Sequence, residues 1–202
     1  MKQKLLYYTR VSVLCLLSTG TFADASVPRY LAELEGAQEV TTIEIPGASA
    51  PLNNGPVASG GYGVAELAIS LDRSSLEYSV EIINLGTEVQ KVHVHLGPRG
   101  ANGPMLFSIF NIADGGAFGL SQAGFLTIED LQANPDLGIN TMEDVFTNLK
   151  RNNLYFNIHT LAIPSGELRG QVGETGQTGQ VGALQSIRTL ESNDSDDSDD
   201  SD

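Results

Sequence analysis

Cysteine is nearly absent: the 202-residue chain has one, Cys15, and it lies inside the apolar run Val11-Ser12-Val13-Leu14-Cys15-Leu16-Leu17. Long hydrophobic runs are absent too. A membrane-spanning helix needs roughly 20 apolar residues, whereas Ser18, Thr19 and Gly20 interrupt this stretch before a second one begins. Lys2, Lys4 and Arg10 precede the run and small residues follow it, which is the order of a cleaved secretory signal peptide. Small residues two apart place the cut after Ala23, assigning residues 1–23 to the signal, or alternatively after Ala25. Leu14, standing where a lipoprotein signal has a small residue, argues against lipidation of Cys15. Without its signal the chain has no thiol, so an oxidising compartment offers it no disulfide and its stability must come from an ordinary core.

Basic residues are scarce as well, with 11 Lys and Arg against 25 Asp and Glu and a formal net charge of −14. Every acidic residue lies at or beyond Asp24, so losing Lys2, Lys4 and Arg10 takes the mature charge to −17. That excludes nucleic acid as a natural partner. Apolar residues thin out at the C-terminus, where Gly and Gln dominate from Gly173 to Gly182 and Ser and Asp from Ser192 to Asp202. Such composition does not bury enough surface to offset ordering entropy. Residues 173–202 read as a flexible linker and an acidic disordered tail, which leaves 29–172 as one folded domain.

Helical periodicity is nearly missing from that domain. Short apolar alternation broken by Gly, Pro and Asn predicts strands at Tyr30–Leu34, Tyr62–Leu71, Leu76–Ile83, Gln90–Leu96, Met105–Phe110, Leu154–Thr160 and Glu167–Val172. Leu76, Tyr78, Val80 and Ile82 form one face, opposed by Glu77, Ser79 and Glu81. Asp72-Arg73-Ser74 and Ile163-Pro164-Ser165-Gly166 supply hairpin turns, and residues 48–61 read as a long surface loop. One helix is predicted, capped by Thr141 with Asp144 three residues on and with Met142, Val145, Phe146 and Leu149 on its apolar face. A shorter helical turn is expected at Thr127–Leu131. The pattern describes an all-β fold, a β-sandwich with a short helical insertion before its last two strands.

Histidine occurs only at positions 93, 95 and 159. In Val92-His93-Val94-His95 the two imidazoles project from one strand face, with Cα atoms about 7 Å apart. In Phe156-Asn157-Ile158-His159 the apolar residues occupy one face, which leaves Asn157 and His159 on the other. If the two strands are neighbours, all three imidazoles converge, and neutral imidazole is the common protein ligand of zinc, copper and nickel. The competing reading is three polar side chains on a wet face.

Four motifs in order resemble one family. They are Leu34-Glu35-Gly36-Ala37-Gln38-Glu39-Val40, the run from His93 to Pro104, Leu154-Tyr155-Phe156-Asn157-Ile158-His159-Thr160, and Pro164-Ser165-Gly166-Glu167-Leu168-Arg169-Gly170-Gln171. Together they resemble the CHRD (chordin) domain, a family of secreted proteins that includes many bacterial ones and the developmental regulator chordin. The resemblance implies fold and compartment more than an activity. Thr41-Thr42, where the family usually has prolines, and the long loop at 48–61 depart from its pattern. His-Val-His also resembles a copper-ligand pair of copper–zinc superoxide dismutases, which are Greek-key, immunoglobulin-like sandwiches. This chain lacks the further histidines and the disulfide that such an enzyme needs.

No catalytic constellation is recognised. Gly119-Leu120-Ser121-Gln122-Ala123 nearly matches a nucleophile elbow but ends in Ala and lacks the strand-to-helix setting. Gly97, Gly100 and Gly103 have neither P-loop nor dinucleotide spacing and serve backbone geometry. Glu167 and Arg169 share a strand face and are expected to form a structural ion pair. The first reading is a non-enzymatic binding module, secreted, periplasmic or at the cell surface, carrying copper or zinc on His93, His95 and His159. A metal-free adhesion or matrix-interaction domain is the alternative, and a copper-dependent redox enzyme is the third. Its partners are then a metal ion and an extracellular protein or matrix, with no nucleic acid and no membrane span in the mature chain.

Overall fold

The computed structural model describes residues 28–40, 42–43, 52–53, 55–112 and 117–174; the expected signal peptide and cleavage sites and the segment beyond Glu174 lie outside them. The described chain is all-β with one α-helix, α1 (Met142–Lys150). Its strands are β1 (Arg29–Glu35), β2 (Thr42–Ile43), β3 (Leu52–Asn53), β4 (Tyr62–Ile69), β5 (Leu76–Ile83), β6 (Val89–Leu96), β7 (Met105–Asn111), β8 (Leu120–Leu126), β9 (Leu154–Thr160), β10 (Leu168–Gln171) and β11 (Gly173–Glu174). All seven strands expected from alternation are present, β5 and β9 with the expected bounds. β8 is additional. Its residues Ser121, Gln122, Ala123 and Gly124 are small or polar, and only Leu126 is buried, so it has no strong alternation of its own. Seven consecutive register pairs with β5 hold it in the sheet.

Antiparallel pairing joins the long strands in the order β7-β6-β9-β10-β1-β4-β5-β8, with β11 also paired to β1, while β2 and β3 pair with each other. The path bends round a single core. Leu34, Leu67 and Ile82 from one half share an apolar cluster with Val94, Phe107 and Phe156 from the other. The period-two face of β5 behaves as alternation requires: Leu76, Val80 and Ile82 are buried, and Glu77, Ser79 and Glu81 are exposed. The sheet runs on through Gly173 and Glu174, which lie opposite Leu31 and Tyr30. Strand pairing thus extends two residues into the segment read as linker.

Helix α1 forms where its capping signature stands. The Thr141 hydroxyl accepts from the Asp144 N–H, the Asp144 carboxylate accepts from the Thr141 N–H, and Met142, Val145, Phe146 and Leu149 are buried. Thr127–Leu131 is a single turn rather than a helix: Asp130 accepts from the Thr127 N–H and hydroxyl as Asp144 does from Thr141, but the Gln132 N–H donates to the Leu106 carbonyl instead of continuing the turn. At the Ile163–Gly166 turn the Gly166 N–H donates to the Ile163 carbonyl at 3.1 Å. Gly166 has φ of 131°, which L side chains rarely adopt, and an added Cβ would lie 2.6 Å from Asn157 Oδ1.

β9 departs from the one-face-wet pattern, since all its residues except His159 are buried. Phe156 and Ile158 enter the core. Tyr155, Asn157 and His159 occupy the opposite face, where bonds to the 97–104 loop, Glu39 and the 163–166 turn enclose them. A second, polar layer therefore covers this side of the sheet.

Candidate metal centre

β6 lies between β7 and β9. The register sets His93 opposite Asn157 and Lys91 opposite His159, so the adjacency that strand phase leaves open is present. The His93 ring centroid lies 5.7 Å from that of His95 and 4.9 Å from that of His159. One ligand atom from each histidine lies within 4.8 Å of the others, and no other such group of three His, Cys, Asp or Glu occurs among the described residues. These three side chains can hold a metal ion.

Backbone carbonyls set the tautomers. His95 Nδ1 lies 2.9 Å from the Gly103 carbonyl oxygen and His159 Nδ1 lies 2.9 Å from that of Pro164. A carbonyl only accepts, so in both neutral rings the hydrogen sits on Nδ1 and the lone pair on Nε2. Both Nε2 atoms are buried and have no hydrogen-bond partner among the described residues. Leaving a buried acceptor unmade costs roughly 1–3 kcal/mol, and here it happens twice within one cluster. Nδ1–H held by a carbonyl with Nε2 left free is how metal-ligating histidines are oriented.

Further residues support this arrangement. Gly103 cannot be replaced without moving the chain, because an added Cβ would sit 1.7 Å from the Leu96 carbonyl oxygen. Its N–H donates to the Tyr155 hydroxyl at 3.1 Å. The Tyr155 ring stacks on His95, centroids 5.0 Å apart and planes 17° from parallel. The Arg169 guanidinium lies 3.4 Å from the centroid of that same ring, and it donates to the Pro98 carbonyl at 2.9 Å and to Asn102 Oδ1 at 3.2 Å. The expected Glu167–Arg169 ion pair does not form. Glu167 instead accepts from the Ser59 and Thr160 hydroxyls, and strand pairing carries Arg169 to the loop that holds His95.

Sequence reasoning missed Glu39, Tyr155, Asn157 and Arg169 as parts of the site. Tyr155 and Asn157 share the strand phase of His159, which was the available signal. Glu39 has no local signal; it is buried, and only the fold brings its Oε1 within 3.3 Å of Asn157 Nδ2. Ser121, the centre of the near-elbow, lies in β8 opposite Glu81 of β5 and stands on no strand-to-helix turn.

Burial pushes the His93 imidazole down to about 4, and the neighbouring His159, His95 and Lys91 push in the same direction. Burial also lowers His95 and His159, against the raising effect of their carbonyl bonds. Burial raises the Glu39 carboxyl and lowers the Arg169 guanidinium. A depressed histidine pKa means that the unfolded chain binds the proton more readily, so stability is lost as pH falls from the ordinary imidazole value toward the folded one. Metal-free protein is therefore expected to keep its stability above pH 6.5 and to lose it progressively toward pH 4. His93→Gln should flatten that slope. Urea denaturation at a series of pH values measures it, and a slope unchanged in the variant would contradict the assignment.

The model of the CHRD domain matches residues 30–172. No curated protein and no solved structure matches the chain. The family match begins in β1, ends just past β10 and takes in His93, His95, His159, Tyr155 and Arg169; the chain belongs to the CHRD domain family.

Proposed function

We propose that this CHRD domain is an exported, non-enzymatic binding module that carries one metal ion, copper or zinc, on His93, His95 and His159. The observation that supports it best is the pair of buried Nε2 lone pairs without partners, each on a ring locked by a carbonyl at Nδ1. Three imidazoles and no thiolate suit copper and zinc better than hard cations. They also leave a coordination position for an external ligand, as in sites that are not purely structural.

The same reading takes the two halves of the sheet as the layers of a Greek-key sandwich. β7-β6-β9-β10 and β1-β4-β5-β8 are the halves, and the chain crosses between them after β5, β7 and β8. β1 and β10 share a single register pair, Glu35 with Arg169. Among the described residues no helix is long and apolar enough to cross a membrane.

Metal analysis of tag-free mature protein, followed by calorimetric titration with copper(II) and zinc(II), tests the metal. One equivalent bound, and retained by a chain ending at Glu174, is the expected result. Binding that disappears with the acidic tail would overturn it. Export predicts a mature N-terminus at Asp24 or Ser26, read by N-terminal sequencing of protein from the extracytoplasmic fraction; an intact Met1 there would sink the signal-peptide reading.

A further inference from the structure

Three neutral imidazoles bring no negative charge to a divalent ion, and an uncompensated charge in a partly buried site is unfavourable. The two buried carboxyls of the polar layer, Glu39 bonded to Asn157 and Glu167 bonded to Ser59 and Thr160, are not among the grouped ligand atoms. The charge on the open side is positive. Lys91 is exposed and forms no ion pair with a described residue. It stands opposite His159 across the strands and two residues before His93, so β6 alternation puts it on the face of His93 and His95. His95 and His159 are the rings whose Nε2 atoms are enclosed; His93 has no enclosed unpartnered nitrogen. Approach from solvent is therefore on the side shared by His93 and Lys91.

We propose that the open coordination position takes a small monoanion, held between the metal ion and the Lys91 ammonium. The inference rests on the metal reading above. The protein is strongly acidic overall, and a lysine with no ion pair among the described residues, beside a dication, makes this a place on the described sheet face where an anion gains two attractions at once. Size is limited by the covers that enclose the neighbouring rings, the 97–104 loop over His95 and the 163–166 turn over His159.

Azide is the probe. Copper(II)-loaded mature protein in chloride-free buffer is titrated with azide and followed by the azide-to-copper charge-transfer band, alongside Lys91→Met and Lys91→Arg. One azide per copper is expected, with Lys91→Met weakening azide roughly 5-fold, the size of one partly exposed charge contact, and leaving copper stoichiometry intact. Lys91→Arg should stay within about 2-fold of the unmodified protein, and added salt should shrink the difference between the lysine and methionine forms. Copper bound without an azide response, or equal azide affinity in Lys91→Met, overturns this inference alone. Failure to bind copper at all overturns the metal reading and this inference with it.

Discussion

His159→Ala should lower copper and zinc affinity by at least about 100-fold, more than the 10- to 100-fold that loss of an outer support typically causes. The substitution removes one of the three proposed ligands and with it the Pro164 bond that aims the ring. His93→Ala and His95→Ala should lose as much, and the double variants little more, because two imidazoles no longer make the site. Metal-free His159→Ala should nevertheless fold. The deleted ring takes with it a buried Nε2 that has no partner among the described residues, so its stability should stay within about 1 kcal/mol of the parent, the centre of the distribution for single substitutions. Metal at a thousand times the parent's Kd should raise the melting temperature of the parent much more than that of the variant, since an ion that binds only the folded state adds about 4 kcal/mol at a thousand times its Kd and only about 1.4 kcal/mol at ten times. Calorimetry and thermal melts together read both effects. Unchanged affinity in His159→Ala would refute the shared site.

Arg169→Met should be the most destabilising single change to the polar layer, by about 3 kcal/mol, the lower end for removing one member of a buried charged cluster. Arg169 is 1 % exposed. Methionine would fill much of the volume over Tyr155 but would leave the Pro98 carbonyl, Asn102 Oδ1 and Gln171 Oε1 without their donor. It would also remove the positive charge that favours ionised Glu39. Lysine should not rescue the loss, because an ammonium cannot lie flat on the Tyr155 ring while reaching several acceptors. Metal affinity should fall too, by roughly 10-fold, as Tyr155 loosens its stack on His95. Urea denaturation and metal titration measure the two losses. A stability change under 1 kcal/mol would mean that the cation is dispensable to the fold.

The strand phase of the site was readable from residues alone. Val92, Val94, Phe156 and Ile158 mark the core face by local alternation, and His93, His95 and His159 follow on the other side whatever the rest of the chain does. The capping of α1 was equally local, since Thr141 and Asp144 are three residues apart. β8 escaped because its place depends on β5, not on its own Ala123 and Gly124. Thr127–Leu131 misled because Asp130 can serve a turn as well as a helix.

Sequence by itself determined which residues face inward, where the chain turns and that three imidazoles share a strand phase, because each of these follows from side-chain geometry over a few neighbouring positions. Tertiary structure alone decided that β6 lies beside β9, that the Gly103 and Pro164 carbonyls fix the two tautomers, and that Glu39 and Arg169 enter the polar layer. Apart from the two carbonyl bonds, which span 8 and 5 positions, those contacts join residues far apart in the chain: Asn157 reaches Glu39 across 118 positions, and Arg169 reaches Pro98 across 71. Their register is set by core packing summed over whole strands. No short window of residues contains that sum, so the enclosure that turns three polar side chains into a candidate metal centre exists only once the sheet has closed around its core.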